Sequence, residues 1–80
     1  MKKLEIEINL TKIFRELFSD TSIIISDDLT AKDIDGWDSL THMLLIVEIE
    51  SLFSIKFKLK DLNKMKNVGE MIKIIQTKIN

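Results

Sequence analysis

The sequence predicts an all-α fold, a four-helix bundle with a short third helix and a long loop between helices one and two. Two observations lead there. Apolar residues recur at helical spacing in three separate segments, near both ends of the chain and in its middle. Only one stretch alternates in the manner of a strand: Phe53, Ile55, Phe57 and Leu59 are interleaved with Ser54, Lys56 and Lys58. It could pair with Ile23, Ile24 and Ile25 as a small two-stranded element, but a loop within a helical bundle is the preferred reading. Eighty residues make one domain with a small core, so a single domain over residues 1–80 is expected.

Helix one is predicted over roughly residues 3–18, where Ile6, Leu10, Ile13, Phe14 and Leu17 share a face. Glu5, Glu7, Lys12, Arg15 and Glu16 lie between them, and the polar run from Ser19 to Ser22 ends the helix. The connection from about residue 19 to 37 holds Ile23, Ile24, Ile25, Leu29, Ile34 and Trp37 and is too apolar for a disordered linker. A loop of that length in a compact domain is functional or packed by its own side chains. Asp38 opens helix two, which reaches about Ser51. Asp61 to Met65 suggests the short third helix. Asn67 reads as the N-cap of the last, with Val68, Met71, Ile72, Ile75 and Ile79 on its buried stripe.

Composition removes several function classes. There is no cysteine, which excludes disulfides, thiolate nucleophiles and Cys-based metal sites and fits a cytoplasmic protein. His42 is the only histidine, so catalysis by this chain alone is not expected, and no metal site is. No apolar run approaches the roughly 20 residues of a membrane span. The start, Met1 to Glu5, turns acidic at once and lacks the apolar stretch of a secretory signal. Residues 1–50 carry eleven acids and five bases, net −6; residues 51–80 carry two acids and seven bases, net +5. This split reads either as two solvated faces or as a first half that meets a basic partner.

Helix two separates into two apolar stripes. Leu45, Ile46, Ile49, Leu52 and Phe53 form a core face, while Leu40, Met43, Leu44 and Val47 lie on roughly the opposite side, flanked by Glu48 and Glu50. Either the helix is buried all round, or the second stripe is an exposed patch rimmed by carboxylates that contacts a partner. An 80-residue bundle has little material to cover a helix on every side, which favours the patch. Ser39 stands beside it at the helix start, where backbone N–H groups and the macrodipole favour an anion. On position alone, such a serine is more often a capping residue.

The wider segment changes that balance. Asp35-Gly36-Trp37-Asp38-Ser39-Leu40, continuing through Leu45-Ile46-Val47-Glu48-Ile49-Glu50 and Phe53 to Ile55, resembles the phosphopantetheine attachment region of acyl and peptidyl carrier proteins. Asn67-Val68 followed by Met71 and Ile72 resembles the start of that family's last helix, so the likeness covers nearly the whole chain. It implies that Ser39 carries a 4′-phosphopantetheine arm transferred from coenzyme A by a phosphopantetheinyl transferase, Mg²⁺ being needed by the transferase only. The arm's thiol would hold an acyl or aminoacyl group as a thioester. Asp38 would help position the transfer, and Leu40, Met43, Leu44, Val47, Glu48 and Glu50 would form the face read by loading and processing enzymes. The resemblance implies a monomeric carrier that catalyses nothing itself. Carriers of fatty-acid synthesis typically have an acid two residues after the serine and more acids along the third helix. Here Thr41 takes that place and Lys58, Lys60, Lys64 and Lys66 crowd the third-helix region, which points to a specialised biosynthetic pathway (polyketide, nonribosomal peptide or surface-polysaccharide acylation).

Other classes are weaker. With Gly36 at the sixth position of a calcium loop, Ala31 and His42 would stand where the first and twelfth ligands must be acidic. An unmodified helical adaptor binding a partner through the exposed face of helix two is the main rival. Nucleic-acid binding lacks support, because the lysines have no interleaved aromatic platform and the net charge is −1. His42 falls near the core side of its helix and reads as a packing residue.

Overall fold

Each α-helix begins on a side-chain capping contact supplied at or just before its first turn. A computed structural model describes residues 2–79 as α1 (Lys3–Leu17), α2 (Ser39–Phe53), α3 (Leu59–Asn63) and α4 (Val68–Ile79), with a one-turn 3-10 helix at Ala31–Asp33. Met1 and Asn80, the two ends of the span read above, lie outside the described residues. Glu5 Oε1 accepts the Lys2 N–H at the head of α1 (3.2 Å). Asp61 Oδ2 accepts the Lys58 N–H at α3 (2.8 Å), and Asn67 Oδ1 accepts the Glu70 N–H at α4 (2.8 Å). These contacts satisfy donors that the helix itself leaves without partners.

The bounds move by a residue or two from those expected. α2 runs on to Phe53, and α3 begins at Leu59, so Asp61 sits inside its first turn and caps backward. No strand forms among the described residues. The alternating run that suggested one is divided, since Phe53 still belongs to α2 and Ser54 turns left-handed (φ 55°, ψ 47°) to end it. Ile55 N–H then donates back to Glu50 C=O (3.1 Å), and Ile55 drops into the core. A left-handed residue closing a helix in this way satisfies its last carbonyls but cannot continue an extended ladder.

α1 packs against both α2 and α4. Ile6, Leu10, Ile13 and Phe14 meet Leu45, Ile49 and Phe53 from α2 and Val68, Met71, Ile72 and Ile75 from α4. The long first connection contributes Ile23 and Ile34 to the same core. Backbone contacts tie it down as well: Arg15 Nε donates to Ile23 C=O (2.9 Å), Val68 N–H to Leu29 C=O (2.9 Å) and Gly69 N–H to Asp27 C=O (3.0 Å). The last two occupy free donors at the head of α4 with loop carbonyls. Gly69 permits this approach, because a Cβ there would lie 3.0 Å from both the Cβ and the carbonyl oxygen of Asp27.

α2 has one buried face. Leu45, Ile46, Ile49 and Phe53 are buried, whereas Leu40, Met43, Leu44 and Val47 are 71%, 52%, 46% and 57% exposed. Leu52, expected in the core stripe, is instead 50% exposed. It stands at the edge of the stripe, on the rim of a groove between α1 and α2 that nothing covers. Tertiary reach, not the wheel, decides such a border position.

Ile49→Ala should therefore cost about 2–5 kcal/mol in urea unfolding, with Val47→Ala well below 1 kcal/mol. Equal losses would mean that the outer stripe is covered. Gly69→Ala should destabilise by about 1–3 kcal/mol, since backbone must move to admit the methyl group; an unchanged unfolding midpoint would show that the loop is free to yield.

Candidate functional site

The turn that delivers α2 is built around Trp37. Gly36 takes a positive φ of 85°, which glycine adopts without strain, and Trp37 N–H donates to Ile34 C=O (3.3 Å). The indole packs edge-on against buried Phe14 (centroids 5.2 Å apart, planes at 82°) and lies 6.0 Å from Phe18. Its Nε1–H donates to His42 Nδ1 (3.0 Å), and the indole and imidazole rings lie nearly parallel, 6.0 Å apart. The start of α2 is thus anchored to α1 through aromatic contact and to its own second turn through a hydrogen bond.

Asp38, not Ser39, caps α2. Asp38 Oδ1 accepts the Thr41 N–H (2.9 Å), while Thr41 Oγ1 accepts the Asp38 N–H (2.8 Å) and donates to Gly36 C=O (2.7 Å). This reciprocal box leaves Ser39 at the first helical position, where it is exposed. Among the described residues no side-chain hydrogen bond engages its hydroxyl, so the capping role that a serine here usually takes is filled by its neighbour. The Thr41 N–H, and after it the Thr41 hydroxyl, hold the Asp38 carboxyl below its usual range.

Beside Ser39 opens a cavity of about 550 Å³. Trp37, Met43, Met65 and Met71 give it apolar walls, and Ser39 and His42 stand on its α2 side. Lys66 and Asn67 face them from the α3–α4 connection. His42 is half-buried, and burial pushes its imidazole below the ordinary value, so the neutral ring is the resting form. Its Nδ1 is occupied by the indole, which places the ring proton on Nε2.

The other expected site residues divide by role. Leu40, Met43, Leu44 and Val47 make one exposed apolar strip running away from Ser39, with Glu48 exposed beside it. Glu50 is committed differently: it is half-buried, and its Oε2 accepts the Phe57 N–H (2.8 Å), pinning the segment after α2. Lys56, Lys58, Lys60, Lys64 and Lys66 are all exposed. The one acid among them, Asp61, is turned inward to Lys78 (2.9 Å). Its carboxyl is held below the usual value by the Lys58 N–H first and the Lys78 ammonium second.

No family model and no curated protein matches the chain. A solved structure does: the solution NMR structure of a holo acyl carrier protein from Geobacter metallireducens is 46% identical to it, with a TM-score of 0.86 over 91% of this chain and 84% of that one. The chain belongs to the acyl carrier protein family. Its four helices without strands among the described residues are that fold, and an acyl carrier protein is a carrier, not an enzyme. No described helix of this acyl carrier protein is long and apolar enough to cross a membrane.

The cavity is what reading the sequence missed. Its walls come from the first loop, α2, the α3–α4 connection and α4, and no spacing along the chain signals that they converge. The pairing of Trp37 with His42 was within reach, because the two residues flank the first turn of α2.

Two outcomes follow. Asp38→Ala should lower the melting temperature through loss of the cap, whereas Ser39→Ala should stay within about 0.5 kcal/mol of the parent; the reverse order in thermal unfolding would return the cap to Ser39. In NMR, the His42 ring of the unmodified protein should titrate with a midpoint below about 6.5. A histidine depressed in the fold stabilises it fully above about 6.5 and loses that contribution as pH falls through the folded value. Stability should accordingly drop from pH 7 to 5, and less steeply in His42→Gln.

Proposed function

We propose that Ser39 is the attachment site of a 4′-phosphopantetheine arm and that residues 1–80 act as one cytoplasmic carrier domain of a specialised pathway. The observation that carries this reading is an exposed, unengaged hydroxyl at the first position of α2, with capping already performed by Asp38 and Thr41. Free N–H groups of the first turn and the helix dipole favour the negative charge of a phosphodiester there. The holo state of the 46% identical carrier supports the same reading.

In the loading reaction Ser39 Oγ attacks the phosphorus of coenzyme A that bears the pantetheine. The Oγ–P bond forms as the bond to the nucleotide phosphate breaks, adenosine 3′,5′-bisphosphate leaves, and the hydroxyl proton passes to a base on the transferase. Mg²⁺ belongs to the transferase. Asp38 holds the nucleophile's backbone still by closing the helix end. Once bound, the arm supplies a thiol on which an acyl or aminoacyl group is carried as a thioester, chemistry that a chain without cysteine has no other means to perform. Leu40, Met43, Leu44 and Val47 present an apolar strip to the loading and processing enzymes. Glu48 at its edge steers basic surfaces toward it, and Glu50 contributes by holding the end of the helix.

Incubation with coenzyme A and a broad-specificity phosphopantetheinyl transferase should add one phosphopantetheine to the intact mass, and Ser39→Ala should abolish the addition while leaving the fold unchanged. A modified mutant would move the site; an unmodified parent would leave α2 as an adaptor face. The exposed lysines from Lys56 to Lys66 support the assignment to a specialised pathway, because they repel enzymes whose docking site is basic. A fatty-acid ketosynthase should therefore elongate on this carrier slowly. Lys58→Glu, Lys60→Glu and Lys64→Glu together should speed it, with the gain shrinking as salt rises. A parent rate equal to that of an acidic fatty-acid carrier would sink the pathway assignment alone.

A further inference from the structure

The rim of the cavity beside Ser39 offers more hydrogen-bond donors than free acceptors. His42 has its Nδ1 occupied by Trp37, so the nitrogen left over, Nε2, carries a proton and donates. Asn67 has its Oδ1 occupied by the Glu70 N–H, which leaves its amide NH₂ free to donate. Lys66 is an exposed ammonium with no ion-pair partner among the described residues. Asp38, the one acid in the lining, accepts from Thr41 through Oδ1 and keeps Oδ2 as a free acceptor. His42 lies three residues after Ser39, hence on the neighbouring part of the same helix face, and both line the same cavity. A rim of this kind complements an anion, and an anion fixed to Ser39 would be held within its reach.

Resting on the assignment of the arm to Ser39, we infer that His42 and Lys66 form a seat for its phosphodiester, with neutral His42 as the Nε2–H donor. The indole of Trp37 serves as the positioning group: by claiming Nδ1 it keeps the donor proton on Nε2. Seating the phosphate against the cavity would lead the first part of the arm across the apolar walls of Met43, Met65 and Met71 instead of out into solvent. The charged groups that line the cavity with His42 are Asp38 at the head of α2 and Lys66 from the α3–α4 connection. The first favours the imidazolium and the second opposes it, so a new anion between them should be the dominant change.

The test compares unmodified protein with protein loaded from coenzyme A, loading being verified by intact mass. The His42 ring resonances and the ³¹P resonance of the loaded form are followed from pH 5 to 8. A phosphodiester does not titrate in this range, so any ³¹P inflection reports a neighbour. The expected result is a His42 midpoint raised by about one unit on loading, as an adjacent anion demands, with a ³¹P inflection at the same pH. His42→Gln should remove the inflection, and Lys66→Gln should raise the His42 midpoint of the loaded protein further. An unchanged His42 midpoint together with a flat ³¹P trace would overturn the inference while leaving the carrier assignment intact. Absence of the mass increase would overturn both. The wild-type comparison needs no variant, so a mutant that fails to fold does not weaken it.

Discussion

The contact between the Trp37 indole and Phe14 governs where Ser39 stands. One edge of the indole rests on a buried residue of α1, and its N–H reaches forward to His42 on α2. Ser39 lies between those two anchors along the chain. Exposure and a fixed direction are conflicting demands for a surface serine on a loop. Here the conflict is resolved by placing the serine itself outside the packed region and its neighbours within it. Asp38 and Thr41 then relieve Ser39 of any part in ending the helix.

The long first connection performs a related task on a larger scale. Ordering about twenty residues whose only regular structure is a single 3-10 turn costs considerable conformational entropy. Ile23 and Ile34 offset part of it by entering the main core, and the carbonyls of Asp27 and Leu29 replace water at the head of α4. Gly69 is the residue that lets the loop come so close. The loop in turn supplies one wall of the cavity beside Ser39, so its immobilisation bears directly on the site.

Charge is arranged around the site with the same economy. The connection before Ser39 exposes Asp27, Asp28, Asp33, Asp35 and Asp38, while the segment after α2 exposes five lysines. Asp61, which could have neutralised some of that positive field, is spent internally on Lys58 N–H and Lys78. The segments before and after α2 therefore carry opposite signs. The exposed apolar strip of α2 lies between them along the chain.

Much of this molecule was legible in the order of its residues. Helical spacing located α1, α2 and α4 to within two residues, because a stripe that must be buried imposes its period on the sequence wherever one face meets the core. The Asp35–Leu40 segment pointed to the carrier family for a similar reason: its pattern is local to one turn. Other features depend on what a side chain meets across space. Leu52 has the periodicity of a core residue and is exposed, since nothing reaches the rim of its groove. Glu50 reads as a surface acid and is instead a hydrogen-bond acceptor for Phe57. Asp38 and Ser39 compete for the cap on paper, and the geometry of Thr41 settles it for Asp38. The cavity, lined by His42 and Lys66 from different elements, has no signature in sequence at all. Period and motif are properties of neighbours along the chain; accessibility, hydrogen-bond partnership and enclosed space arise only when the chain has folded back on itself.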